Sequence, residues 1–451
     1  MNESHIPIEV KQILSKLEST GYQAYVVGGC IRDSLIGLAP HDWDICTNAL
    51  PNQVKDIFEE EYDVIDTGIK HGTVTVIGRT IPFEITTFRS ESRYSDHRHP
   101  DEVKFVRTLE EDLSRRDFKM NAIACNQNGI IIDPYNGRYD IDHHLISCVG
   151  DPAERFEEDP LRILRAMRFA SKLGYTIDFH TSSSMFTKQH LLRFISVERI
   201  TDELHKMFLN DGESLYNVLT MYSSIITFII PELHATIGFN QNNRYHVYDV
   251  WTHTLQAIKN SPVFLSSFET CVVRFALLFH DIAKPHCYSK DHNGGHFYGH
   301  GIISRDMTKT ILDRLKFSNA EKEFILDLIE HHERDISPTK KSLKRWMNTI
   351  GPVKLQLLLE LKEADIKAHS SIGRSERILQ IEECKSLLEQ IIEENLAYTV
   401  KDLHINGNQL MDLGIPEGPE IGRILKELLI KVIDGEIEND YTTLAQYAVS
   451  I

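Results

Sequence analysis

Apolar residues recur along the chain with two different periods, and the change of period divides it. Up to about residue 150, short strand-like and helix-like segments alternate. "AYVVGG" reads as a buried strand and "CIRDSLIG" as the start of a helix. "TVTVIGRTIPFEITTF" reads as a hairpin of two alternating runs about a Gly78-Arg79 turn. From Asp151-Pro152 onward almost every segment has the helical period. Examples are "PLRILRAMRFASKL", "SVERITDELHKMF", "RFALLFHDIAK", "AEKEFILDLIEHHE" and "VKLQLLLELKEADIKAH". Breaks rich in Gly, Asn or His fall near 238–246, 291–301 and 404–419, and there is no short tandem repeat or low-complexity tract. The pattern predicts an α/β head, a mixed sheet with helices, on a long α-helical body.

At 451 residues the chain is too long for one compact core, so two to four domains are expected. Hydrophobic content of 41% and charged content of 25% suit a soluble globular protein. No apolar run reaches the roughly 18–20 residues of a membrane helix, and "MNESHIPIEVKQIL" lacks the basic start and apolar stretch of a signal peptide. Seven cysteines without a C-x-x-C pair point to free thiols in a reducing compartment. A cytoplasmic protein without a membrane partner is expected.

The formal charge of −17 argues against a non-specific nucleic-acid coat protein. It leaves an RNA enzyme open, because phosphate binding depends on local patches. Candidate patches are "SRRDFK", the arginines of "LRILRAMRFASK", and "SPTKKSLKRW"; each also fits an ordinary solvated face.

The first candidate chemistry is "DWDIC". In a strand, Asp42 and Asp44 leave the same face, and a third acid, Glu84, stands in "IPFEITTF". Such a set can hold two Mg²⁺ ions that activate a hydroxyl and neutralise nucleotide phosphates. An isolated D-x-D is more often a solvent-facing strand. Here "VVGGCIRD" precedes it by about a dozen residues: a strand ends in Gly28-Gly29 and turns into a helix. Glycines at a helix N-terminus let backbone N–H groups approach phosphate oxygens, and Arg32 is placed to add a charge-assisted contact.

The order strand, GG-x-x-R, D-x-D resembles the nucleotidyltransferase superfamily that includes DNA polymerase beta, and more closely the class II tRNA nucleotidyltransferases, the CCA-adding enzymes. The resemblance continues through "TGIKHGTVTVIGRTIPFEITTFRSESRYSDHRHPDEVKFV", "LSRRDFKMNAIA", "IIDPYNGRYDID", "FEEDPLRILRAMRFASKLGY", "SVERITDEL" and "LHINGNQLMDLGIPEGPEIGRILKELLIKVIDGEIEN", and so covers nearly the whole chain. It implies a nucleotidyltransferase head over 1–150, a helical neck and nucleobase-reading domain over 151–238, a helical body over 239–372 and a tRNA-binding helical tail over 373–451.

The same resemblance implies that C, C and A are added to tRNA from CTP and ATP without a template, pyrophosphate leaving. Asp42 and Asp44 would be ligands of two Mg²⁺ ions, with Glu84 a third acid, ligand or base. Gly28, Gly29, Arg32 and Arg116 would meet phosphates, and Asp117 and Asn121 the ribose. Asp159 and Arg162 can offer acceptors and donors to a base edge, and Arg165 and Arg168 follow at steps of three along a helix. Asp159 before Pro160 also reads as a helix N-cap. One residue does both jobs only if its oxygens are divided between them. The loop "YSDHRHPDEVKFV" is lacking in functional form from family members that add only CC, so its presence implies that A can be added.

A second constellation lies in the body: His253, His280-Asp281 and Asp365, with His296, His300, His331 and His332 between them. The pattern H…HD…D resembles the HD superfamily of metal-dependent phosphohydrolases, so an HD-type helical domain is expected. Imidazole with carboxylate suits Mn²⁺, Ni²⁺, Fe²⁺ or Mg²⁺ better than a structural thiolate zinc. Many HD folds serve only as scaffold; an active one would take terminal or 2′,3′-cyclic phosphates on RNA. Spacing favours His300 over His296 and does not separate His331 from His332.

The rival readings are an A-adding specialist, a bacterial poly(A) polymerase, a uridylyltransferase with an HD domain, and an HD phosphohydrolase on a degraded head. The chain shows neither the added basic motif and basic tail of the second nor the C-terminal sensing modules of the third, and the intact D-x-D and R-R-D-F oppose the fourth. The expected partners are the tRNA acceptor end and elbow, ATP and CTP, with a monomer or homodimer left open.

Overall fold

The structure, a computed structural model, describes residues 6–40, 42–69, 72–79, 81–92, 102–242, 244, 246–292 and 294–451. Residues 94–101 of the loop "YSDHRHPDEVKFV" lie outside these. The chain forms two compact units, one of residues 1–207 and 221–229 and the other of 208–220 and 230–451.

The first unit is built on a mixed sheet. Its elements in chain order are β1 (Ala24–Val27), β2 (Ile45–Thr47), β3 (Asp63–Gly68), β4 (Thr73–Ile77), β5 (Pro82–Thr87), β6 (Arg89–Ser92), β7 (Glu102–Phe105), β8 (Ala124–Cys125) and β9 (Ile131–Ile132). Among the described residues seven strands pair in the order β3-β4-β5-β2-β1-β8-β9, and β6 and β7 form a separate antiparallel ribbon. Within the seven-stranded sheet the β2–β5 pair is parallel and the other pairs are antiparallel. The expected hairpin is β4 and β5, and the expected strand-to-helix turn joins β1 to the helix Gly29–Leu35.

Val26, Ile45, Val74, Val76, Phe83 and Ile85 are buried across neighbouring strands, each apolar side chain worth about 1.5–3 kcal/mol of burial. The helix Ile8–Ser19 covers the sheet with Val10, Ile13, Leu14 and Leu17, an apolar stripe at helical spacing. After Gly150 the unit turns helical. Asp151 starts Pro152–Glu158 by accepting the Ala153 N–H at 2.9 Å, with proline at the first helical position. Leu161–Leu173 follows, closed by Gly174 in the left-handed region.

Among the described residues the second unit is helical, apart from the small hairpin Ser289–Asp291 with Gly294–His296. Its central helix, Ser267–Phe279, is buried at every residue from Thr270 to Phe279, as expected of a helix that is apolar on all sides. Val250–Asn260 and Pro352–Ala368 pack together beside it. Arg274 is fully buried here: its Nη1 donates to the carbonyls of Phe208, at 2.6 Å, and Asn210, and its Nε to Ser261 Oγ at 3.1 Å. The break expected over 404–419 holds a short helix, Gly407–Asp412. Asn406 and Gln409 cap its start reciprocally, a local signal that outweighs the surrounding glycines. No helix among the described residues is long and apolar enough to cross a membrane. All seven cysteines are free thiols.

Candidate functional site

The first site forms where β1 ends. Gly28 sits at φ +87°, a conformation that favours glycine. A Cβ there would lie 3.1 Å from Arg116 Nη1 and 3.9 Å from Asp44 Oδ2. The Gly28 backbone, Arg116 and Asp44 therefore meet at one point. Arg32 points inward from the first turn of Gly29–Leu35 and is buried. Its Nε donates to Asp33 Oδ1 at 2.8 Å and its Nη1 to Asn121 Oδ1 at 2.7 Å. Asn121 Nδ2 donates to Asp117 Oδ1 at 3.0 Å, and Asp117 Oδ2 accepts from Arg165 Nε at 2.9 Å and Nη2 at 2.5 Å. Burial pushes the Asp117 carboxyl up, but Arg165 and Asn121 outweigh it and hold the pKa at about 2.

The acids stand beside this chain of contacts. Asp42 and Asp44 are exposed and Trp43 between them is buried, the alternation of an extended segment. The sequence predicts the pair on a strand; the strand itself begins one residue later, at Ile45, and Asp44 joins the sheet by accepting the Val27 N–H at 3.0 Å. Ile45 pairs with Ile85 in parallel register. Asp44 and Glu84, each one residue earlier, thus lie side by side on one face. The surrounding protein raises the Asp44 pKa even though one edge stays open to water; Arg116 opposes the rise, and Glu84 and Asp42 add to it.

Asp44, with Glu84 and Asp42 near enough to raise its cost of ionisation, completes a set of three carboxylates that fits a hard divalent cation. Next to them, Arg116 reaches Asp112 at 3.4 Å through Nη2, while its buried Nε has no hydrogen-bond partner among the described residues. An orphan guanidinium donor is a place for an anionic oxygen.

The arginines of Leu161–Leu173 do not form an open basic wall. Arg162 is buried, donating from Nη1 to Glu158 Oε2 at 2.7 Å and the Arg155 carbonyl at 3.1 Å, and from Nη2 to the Arg115 carbonyl at 3.1 Å. Arg165 pairs with Asp117, and Arg168 Nε with Glu203 Oε2 at 2.7 Å. The guanidinium carbons of Arg32, Arg165 and Arg168 lie 5.0, 5.5 and 4.3 Å from the Phe169 ring centroid.

Asp159 serves both neighbours. Oδ1 accepts the Leu161 N–H at 3.1 Å, at the start of the helix, and Arg199 Nη1 at 3.4 Å, while Oδ2 accepts from Arg199 Nη2 at 2.9 Å. Arg199, Glu203 and Phe169 are thus part of this constellation, and sequence reading passes over them. Glu203 and Arg199 share one helix face four residues apart within "SVERITDEL", the one local sign of a paired site.

A second cluster lies wholly within the other unit. His253 Nε2 is 2.8 Å from Asp365 Oδ1. His280 Nε2 is 3.2 Å from Asp281 Oδ2 and 3.5 Å from Asp365 Oδ1. His300 Nε2 is 3.0 Å from Asp281 Oδ1 and 3.2 Å from His332 Nε2. The structure brings together the four residues the H…HD…D pattern named. It selects His300, while His296 bonds Asp291 at 3.0 Å, and it selects His332, while His331 packs on Trp346. Sequence reading omits three further members: His369 and His246, whose Nε2 atoms are 3.0 Å apart, and Lys284, whose Nζ is 2.7 Å from Asp281 Oδ2.

Burial opposes charge on His280, yet Asp281 and Asp365 raise it to about 10. His300 likewise stands at about 9, against burial, through Asp281 and Glu333. His246 falls to about 2 through burial, Lys284 and His253. Imidazoles and carboxylates without a thiolate fit a first-row divalent ion.

Three family models match the chain: the poly A polymerase head domain over residues 24–147, the probable RNA- and SrmB-binding site of polymerase A over 174–237, and a putative tRNA nucleotidyltransferase domain 2 over 302–448. The CCA-adding enzyme of Limosilactobacillus fermentum is 34% identical over 97% of this chain and 95% of its own length. That of Levilactobacillus brevis is 33% identical over 98% of both. Among solved structures, the Bacillus stearothermophilus CCA-adding enzyme in complex with CTP superposes with a TM-score of 0.71 at 27% identity, covering 98% of this chain and 96% of that one. The Thermotoga maritima CCA-adding enzyme complexed with tRNA-CCA shares the fold, with a TM-score of 0.61 at 19% identity over 99% and 96% of the two chains. Identity of this extent over nearly the full length places the chain in the CCA-adding enzyme family of nucleotidyltransferases.

Proposed function

We propose that the protein adds C, C and A in turn to the 3′ end of tRNA from CTP and ATP, with no nucleic-acid template. The tRNA 3′-hydroxyl oxygen bonds to the α-phosphorus, the bond to the β-phosphate breaks, and pyrophosphate leaves. The observation that carries this reading is the meeting of Asp44 and Glu84, with Asp42 beside them, and Arg116 at the Gly28 turn. One edge of the sheet thereby offers carboxylates for cations next to donors for a triphosphate.

Divalent metal dependence goes with the family; two Mg²⁺ ions on Asp42 and Asp44 would supply charge neutralisation at the triphosphate and a more acidic hydroxyl. Glu84 serves as a third ligand or accepts the hydroxyl proton. The N–H groups at Gly28 and Gly29, with Arg32 and Arg116, orient the phosphates. Asp117, held ionised by Arg165 and aligned by Asn121, accepts from ribose hydroxyls. Asp159 and Arg162 meet the base edge by exchanging their present partners Arg199 and Glu158 for it, and Arg165 and Arg168 hold the helix that carries them against Asp117 and Glu203. Positioning and electrostatics do most of the work in such transfers.

The helical segment 373–451 would contact the tRNA elbow by shape, and the site of action is the cytoplasm. Addition of A alone is the less favoured alternative. For the body unit we read His253, His280, Asp281 and Asp365 as ligands of one divalent ion, Mn²⁺, Ni²⁺, Fe²⁺ or Mg²⁺, supported by their convergence.

The test uses tRNA transcripts ending at the discriminator base, at C and at CC, incubated with Mg²⁺ and CTP, ATP or both. All three growing to CCA and stopping there is the expected result. Extension of the CC-ending transcript alone would mark an A-adding specialist, and no extension would overturn the reading of the head.

A further inference from the structure

An acid is buried where an apolar residue is expected. In the helix Leu109–Ser114 the buried positions are Leu109, Asp112 and Leu113, the last two lying three and four residues beyond the first and so on its face. The two leucines join an apolar cluster with Val27 and Phe88. Asp112 is fully buried beside them, and a charge taken out of water is costly unless it is paired and hydrogen-bonded. Three residues supply the donors. Oδ1 accepts from Arg115 Nε at 3.0 Å and Nη2 at 2.8 Å, and from the Arg89 N–H at 3.2 Å. Oδ2 accepts from Arg116 Nη2 at 3.4 Å. Burial pushes the Asp112 carboxyl up, but Arg115 and Arg116 outweigh it and hold it below the ordinary aspartate range, so the acid is ionised.

Arg116 therefore stands between two acids. Its Nη1 approaches the Gly28 turn, where Asp44 Oδ2 also arrives, while its Nη2 meets Asp112. Among the described residues the ion pair forms with Asp112 and not with Asp44. Arg115 takes Oδ1 with two prongs and neutralises the acid; the contact of Arg116 with Oδ2 is longer and weaker. A loose contact suits a group that is oriented yet must still donate elsewhere, and Arg116 Nε is buried with no hydrogen-bond partner among the described residues. Without Asp112 the carboxylate left beside the guanidinium would be Asp44, and opposite charges would draw the arginine onto an acid assigned above to the cations.

We propose that Asp112 is a positioning residue for nucleotidyl transfer. Its Oδ2 holds the Arg116 guanidinium at the Gly28 turn and off Asp44, which leaves Nε and Nη1 to donate to the phosphates of CTP or ATP and leaves Asp44 open to a cation. The inference rests on the reading of Arg116 as a phosphate ligand given above, and adds the residue that fixes its place. The competing account of Asp112 is packing alone: it ties Arg115 to the backbone of Arg89, and its contact with Arg116 is incidental.

The experiment is a double-mutant cycle in the full-length protein. CTP binding in Mg²⁺ is read by calorimetry for the native chain, Asp112→Asn, Arg116→Gln and the two together. Asp112→Asn keeps the shape of the side chain and one acceptor oxygen while removing the charge. A loss of about tenfold or more in CTP affinity is expected for each single variant. The double variant should bind within about twofold of Arg116→Gln alone, because Asp112 acts through Arg116. Losses that multiply, or native affinity in Asp112→Asn, reduce the acid to packing and overturn the proposal while Arg116 remains a phosphate ligand. Native affinity in Arg116→Gln overturns the phosphate reading and the positioning inference with it. Where Asp112→Asn does not fold, the native protein labelled with ¹⁵N-arginine decides. Its Arg116 Nη signals, identified by their loss in Arg116→Gln, should be resolved from one another before nucleotide is added; signals averaged by free rotation would overturn the hold on Nη2.

Discussion

Asp117 and Arg165 are joined by a two-pronged ion pair, in which one carboxylate oxygen accepts from Nε at 2.9 Å and from Nη2 at 2.5 Å. The other oxygen accepts from Asn121 and from the Phe118 N–H, so the acid is fixed at both ends. The Asp117 pKa of about 2 lies below the ordinary aspartate value. That difference contributes on the order of 2 kcal/mol to folding at neutral pH. A depressed carboxyl pKa stabilises the fold above the unfolded-state value and loses its effect as pH falls through the folded-state value. The stability gap between the native protein and Asp117→Asn should therefore be full at pH 7 and shrink as pH drops from about 4 towards 2. Urea unfolding at pH 7 and pH 3 measures it; an unchanged gap would contradict the ion-pair account.

Gly28→Ala tests the close approach at the turn. The new Cβ meets Arg116 Nη1 at 3.1 Å in a left-handed backbone. A cost of about 1–2 kcal/mol in stability is expected from the conformation, together with a loss of nucleotide affinity from the displaced guanidinium. Thermal melting and CTP binding by calorimetry check the two effects separately.

Asp159→Asn keeps an acceptor for the Leu161 N–H but removes the charge that holds Arg199. We expect stability within about 1 kcal/mol of native and weakened discrimination between CTP and UTP in single-nucleotide extension. Asp159→Ala should lose both stability and discrimination. Equal discrimination in all three proteins would remove Asp159 from base reading.

Arg274 holds the chain around Phe208 and Asn210 from inside the body unit. Arg274→Met fills similar volume but leaves two carbonyls unmatched, which costs about 1–3 kcal/mol for each buried group. The expected outcome is a lowered melting temperature with the metal count of the His–Asp cluster unchanged.

Much of this could be read in the sequence because it is local. The strand before Gly28-Gly29, the β4–β5 hairpin and the helices Leu161–Leu173 and Pro352–Ala368 each declare themselves by period and punctuation. What escaped is convergence at long range. Arg199 meets Asp159 across 40 positions, and His246 meets His369 across 123. The choice between His331 and His332 was open to a closer reading: Ile325, Leu328 and Ile329 are buried, and His332 continues their stripe at spacings of seven, four and three. His300 likewise begins a stripe through Ser304, Thr308 and Ile311. The three arginines of Leu161–Leu173 read as a candidate basic patch because their partners Glu158, Asp117 and Glu203 are supplied by other segments.

The most direct measurement is single-turnover addition of CMP to a tRNA ending at the discriminator base, comparing the native protein with Asp44→Asn, which keeps the shape of the side chain and removes its charge. A fall in rate of about 10³-fold or more, with tRNA affinity unchanged, is the predicted result for a metal-binding carboxylate at the reacting phosphate. A rate within tenfold of native would contradict the assignment of nucleotidyl transfer to the acids beside Gly28.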